Sequence, residues 1–140
     1  MNTMRRGIAG LLLGAFLVGV SLAARAEDFT GSWVYLSADG KASLAFDLTQ
    51  KGEKLTGYHN CTVRGGNRVD AVLPGDPPSI VGTVSGRKAQ VTFRSGYGDG
   101  KGTAEMTLGK DHTLSWKILE FQGNHYLMES AVLKKEPQGK

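Results

Sequence analysis

The chain has 140 residues, 20 of them glycine and one cysteine, and a formal charge of +4. That length holds one domain with a modest core, and a single cysteine excludes any disulfide within the chain. Three basic residues, Arg5, Arg6 and Arg25, lie in the first 26 positions; without them the remainder carries +1, so there is no global electrostatic case for binding nucleic acid or anionic lipid.

Residues 1–26 read as a cleaved secretory signal. Arg5 and Arg6 make the basic start, an apolar run follows, and Ala24 and Ala26 supply the small side chains that the peptidase pockets require. The apolar part, from Ile8 to about Ala24, is marginal against the ~20 residues that cross a bilayer. No second hydrophobic run occurs downstream, so no stable membrane span is expected after cleavage. Glu27 stands where a lipidated cysteine would have to be. The expected mature unit is one domain, residues 27–140, in the periplasm or secreted.

Strand patterns then recur between turns. Residues 31–36 form the first, stopped at Asp39 and Gly40. In residues 43–49, Leu44, Phe46 and Leu48 share one face while Ser43, Asp47 and Thr49 take the other, the period-two pattern of a half-buried strand. A turn at Lys51 and Gly52 leads to a third strand at 55–63. Residues 68–73 fit either a short strand or an extended connection, and the prolines at 74, 77 and 78 require an irregular loop. Further strands are expected at 80–85, 89–94, 103–108, 114–121 and about 126–133, with a polar tail from Lys134. No stretch of this region sustains a helical stripe.

Eight or nine short strands with tight glycine-containing turns indicate an all-β, antiparallel up-and-down meander. A closed barrel is favoured over a β-sandwich because nearly all connections are of hairpin length. Closure also removes exposed edges from a sheet that has no disulfide to protect it.

Gly31-x-Trp33 resembles the Gly-x-Trp opening of calycin barrels, the superfamily of lipocalins, fatty-acid-binding proteins and avidins. Residues 48–58 are similar in style to the second hairpin of avidin-type barrels. The resemblance covers about the first thirty residues after the signal. It implies that Trp33 closes one barrel end and that a basic residue near the last strand, Lys134 or Lys135, packs over it. The ligand-contacting aromatics of avidins have no match here, so biotin binding is not implied.

Chemistry-bearing motifs are sparse. No serine sits in a Gly-x-Ser-x-Gly elbow, and no phosphate loop or dinucleotide fingerprint occurs. The alternating glycines at 96, 98, 100 and 102 precede a strand, whereas a phosphate loop precedes a helix. His59 and Cys61 share one side of a strand, about 7 Å apart, too far for a direct hydrogen bond; as a pair they could supply two ligands to a soft metal, but a buried thiol and a satisfied or exposed histidine are preferred. His112 and His125 have no motif spacing. No catalytic residue, metal or cofactor is therefore assigned. Arg64 and Arg68, which bracket one turn, read as solvated turn residues, as do Arg87 and Lys88.

Two places remain for binding. One is the connection at residues 95–102, which presents Ser95, Tyr97, Asp99 and Lys101. It resembles the Ser-Gly-x-x-Tyr loops of small periplasmic lysozyme-inhibitor barrels. Ser95 and Gly96 match, while Tyr97 comes too early and the paired cysteines of several such inhibitors are absent. The other is the barrel interior. Its expected inward set mixes small residues (Gly57, Gly82, Ala89, Ala104) with Phe46, Phe93, Met106, Trp116 and Met128, leaving either a cavity or a filled core.

The expectation is an exported, non-enzymatic binding protein of the cell envelope, holding a small hydrophobic molecule against Phe93 and Trp116. The alternative is a module that binds or inhibits an envelope or extracellular protein through the loop around Tyr97.

Overall fold

The computed structural model describes residues 28–137; the expected signal segment lies outside them. Nine strands follow in chain order: β1 (Gly31–Leu36), β2 (Ser43–Lys51), β3 (Lys54–Val63), β4 (Arg68–Ala71), β5 (Ile80–Ser85), β6 (Lys88–Arg94), β7 (Lys101–Leu108), β8 (Thr113–Gln122) and β9 (Ser130–Lys135). Eight of them form a closed antiparallel barrel in sequential order. β1 pairs with β2, β2 with β3, β3 with β5, and so on to β9, which closes onto β1 through Trp33↔Lys135 and Val34↔Lys134. The favoured barrel is thus the observed architecture.

β4 is the extra strand. Ten-residue β3 has two partners along its length: residues 54–57 pair with β5, and residues 60–63 pair with β4. The ambiguous segment 68–73 is therefore a short strand followed by a connection, and it overlies one barrel end. In an up-and-down barrel alternate connections share an end, so those after β1, β3, β6 and β8 gather at this one.

At the opposite end Trp33 is fully buried, and its Nε1 donates to the Phe29 carbonyl at 2.9 Å. The Lys135 ammonium sits 5.5 Å from the centre of its ring. A Cβ on Gly31 would lie 2.7 Å from the Lys135 side chain, so glycine gives the lysine its path over the indole.

The interior is filled with side chains. Trp116 is at its centre, with the Phe46 ring at 4.9 Å and the Phe93 ring at 6.0 Å, and Leu44, Leu55, Ile80, Met106 and Leu114 are fully enclosed. Glycines at two inward positions bring strands together instead of leaving space. A Cβ on Gly57 would lie 2.5 Å from the Asp47 carbonyl oxygen, and one on Gly82 would lie 2.2 Å from that of Gln90. Neighbouring backbones thus occupy the volume that the missing side chains release.

Two boundaries differ from expectation. β9 starts at Ser130 instead of near residue 126, and it carries Lys134 and Lys135, which were assigned to a tail. The chain before it cannot join the ladder because its polar groups are engaged elsewhere: the Tyr126 N–H by Asp70, the Leu127 N–H by His125 Nδ1, and the Met128 carbonyl by Trp116 Nε1. β7 starts two residues early, at Lys101, opposite Gln122 of β8. Its register shifts after Thr103, which faces Glu120, whereas Ala104 faces Ile118; Leu119 is the extra residue of a bulge.

Cys61 is buried in this core. Burial pushes its thiol up to about 11; a backbone hydrogen bond from Met128 works against that, and the nearby Asp70 charge adds to it. A thiol in that state holds almost no thiolate near neutrality, and thiolate is the nucleophile. Cys61 should therefore resist iodoacetamide at pH 8 in the native protein and be alkylated fully in denaturant, as read by intact mass.

Candidate functional site

The polar end of the barrel is organised by one carboxylate. Asp70 of β4 is fully buried, and its two oxygens accept four hydrogen bonds. Oδ1 receives His59 Nε2 at 2.8 Å and the Gly96 N–H at 2.7 Å; Oδ2 receives the Ser95 hydroxyl at 2.6 Å and the Tyr126 N–H at 2.9 Å. Burial alone would raise this carboxyl. The bonds from His59, Ser95 and the Tyr126 and Gly96 N–H groups outweigh it and hold Asp70 well below the usual carboxylate range.

The network continues in both directions. An ionised carboxylate only accepts, so His59 Nε2 carries a proton and donates to Asp70, while Nδ1 shares a hydrogen bond of 2.8 Å with the Ser79 hydroxyl. Ser95 donates to Asp70 and accepts the N–H groups of Tyr97 (2.9 Å) and Gly98 (3.1 Å). The connection at 95–100 is thereby turned tightly around its first side chain. Gly96 lies so close to β4 that a Cβ would be 1.9 Å from the Ala71 carbonyl oxygen.

Ser79, His59 and Asp70 form a row of the residue types found in Ser-His-Asp hydrolases. The sequence reading did not assemble it, because the three residues lie 20 and 11 positions apart on separate elements and match no local motif. Ser79 and His59 are each only 2% exposed, and here the row ties β3, β4 and the start of β5 together. The same bonds use both ring nitrogens of His59, which had been weighed with Cys61 as a metal ligand. Among the described residues no group of three or more His, Cys, Asp or Glu is placed to hold a metal.

The six residues singled out from the sequence separate into four environments. Phe93 and Trp116 are buried core. Ser95 faces inward onto Asp70, and Asp99 uses Oδ1 to accept the Asn124 N–H at 2.9 Å, so both hold connections in place. Lys101 opens β7 and, with Arg94, Val81, Thr92, Thr103 and Phe121, borders an open groove of about 560 Å³ on the outside of the sheet. Of the six, Tyr97 alone has its side chain on the rim of the polar end, half exposed, with its ring 4.5 Å from that of Tyr126.

Tyr126 is the rim residue that the sequence reading left unmarked. The Arg64 guanidinium lies 5.1 Å from its ring centre and that of Arg68 5.8 Å. The interaction with Arg68 is the largest influence on its phenol; desolvation opposes it, and Tyr97 and the charges of Arg64 and Arg68 add to it, so the phenol lies below its ordinary value. The two arginines read as solvated turn residues are thus gathered on one aromatic ring. No local pattern could have shown this, since the pair meets Tyr126 only through the placement of β4 beside the connection after β8. Val69 and Leu73, on either side of Asp70 in the chain, are both more than half exposed.

Comparison with known protein families, with curated proteins and with solved structures finds no match to this chain.

Proposed function

We propose that this is an exported, non-enzymatic binding protein that recognises its partner with the rim formed by Tyr97, Tyr126, Arg64 and Arg68. The observation that carries this reading is a surface aromatic pair, Tyr97 half exposed and Tyr126 partly buried, bearing two guanidiniums on a buried, fully hydrogen-bonded base. Tyr and Arg are the side chains that most often dominate binding energy, and a surface held rigid from beneath loses little entropy on association.

A small hydrophobic cargo inside the barrel is the other reading of the same fold, and calycin kinship would favour it. The close packing around Trp116 supports the rim instead. Enclosure of Ser79 and His59 supports a role without catalysis, because a nucleophile needs a substrate against it.

The test is native mass spectrometry of protein taken gently from its producing cells, repeated under denaturing conditions. No hydrophobic, phosphate-free small molecule is expected; an adduct of that kind lost on denaturation overturns the rim in favour of cargo. For a protein partner recovered by crosslinking, Tyr97→Ala should weaken binding about tenfold or more. Unchanged affinity would remove Tyr97 from the site.

A further inference from the structure

We propose that Arg64 and Arg68 together receive one phosphate-class oxyanion at the rim. The inference rests on the rim being the recognition face and names the chemistry that this face takes.

Both guanidiniums lie against one ring, 5.1 and 5.8 Å from its centre, and an anion shared between them would offset their mutual repulsion. Among the described residues no carboxylate lies within salt-bridge distance of either guanidinium, and the Arg64 side chain makes no hydrogen bond to a described residue. Arg68 spends Nη1 on the Asn67 carbonyl at 3.1 Å, leaving further N–H donors of its fork. Asp70, the nearby buried anion, has both oxygens covered by four other donors.

The backbone is built to place Arg64. It has φ +58°, an uncommon value for a residue with a side chain, and Gly65 and Gly66 continue at +64° and +94°. A run of three such residues bends the chain after β3 so that Arg64 and Arg68 return to the same ring. Guanidiniums match the tetrahedral oxygens of phosphate through paired N–H donors, and two of them balance a dianion. The Tyr126 edge supplies a wall. A phosphate group on a lipid headgroup and a free phosphate ion present the same chemistry.

The test is titration of the intact mature protein with inorganic phosphate, read by side-chain NMR at the arginine Nε–H groups and by calorimetry. Saturable binding with the largest shifts at Arg64, Arg68 and Tyr126 is expected, weakened roughly tenfold for each arginine changed to glutamine. Both positions are exposed, so the Arg64→Gln/Arg68→Gln protein should keep its fold, which its NMR spectrum checks. In parallel, vesicles containing phosphatidic acid are compared with vesicles of phosphatidylcholine alone. Capture by the first, lost in the double variant, places the phosphate on a headgroup; binding of free phosphate without vesicle capture makes the ion itself the ligand. Shifts spread evenly over surface lysines, or retained in the double variant, with no vesicle capture that depends on the two arginines, overturn the proposal. Those results would leave the rim reading standing, because Tyr97→Ala tests that on a different ligand.

Discussion

Replacing Asp70 with alanine should cost about 3–5 kcal/mol of unfolding free energy, the range for stripping one partner from a buried ionic network. Four donors lose their acceptor at once, and two of them, the Gly96 and Tyr126 N–H groups, are the points where separate connections are anchored to β4. Asp70→Asn should be nearly as damaging, because one of its atoms becomes an N–H₂ facing groups that also donate. The Tyr97 and Tyr126 rings should then lose their fixed contact, visible as narrowed dispersion of their NMR signals. Chemical denaturation of the variants measures the stability change; a loss under about 1 kcal/mol would show the network to be incidental.

The pH dependence of the same group has a definite sign. Because the fold depresses the Asp70 carboxyl, its contribution is complete above the unfolded carboxylate value of about 3.9. It is lost progressively as pH falls from there through the much lower value in the folded protein. The contribution of Asp70 to the stability gap between wild type and Asp70→Asn should therefore shrink as pH falls below about 4. Taking the difference between the two proteins cancels the titration of other carboxylates.

Trp116→Ala should cost a similar amount, about 3–5 kcal/mol, and Trp116→Phe clearly less. The indole touches Phe46 and Phe93 and donates to the Met128 carbonyl, so truncation removes packing from three strands and frees a buried acceptor. Phenylalanine restores most of the volume but not the hydrogen bond. Thermal or denaturant unfolding gives the ranking. An alanine variant as stable as wild type would mean that the indole borders empty space, which would return the barrel interior to consideration as a ligand cavity.

Much of the barrel was readable along the chain because its determinants are local. Alternation such as Leu44, Phe46, Leu48 reports the buried face of a strand directly, and glycine-bearing turns mark where each strand ends. Seven barrel strands beginning and ending within two residues of expectation follow from that. β9 was misplaced because its start depends on a rival acceptor: nothing near Tyr126 in sequence signals that its N–H will be claimed by Asp70, 56 positions away. Lys135 over Trp33 was foreseen by resemblance and could not have come from pattern.

The candidate site was the reverse case. Tyr97 stood out because glycines surround it, yet Ser95 and Asp99 beside it turned out to secure connections. His59, Asp70, Ser79 and Tyr126 form the base and rim, but none carries a local motif. Hydrophobic periodicity and turn chemistry act between near neighbours, so the order of residues along the chain specified an all-β meander and its strands. A buried carboxylate can be satisfied only by donors that chain closure delivers from remote positions. Which residues gather at the barrel end, and which arginines share Tyr126, was therefore set by three-dimensional packing.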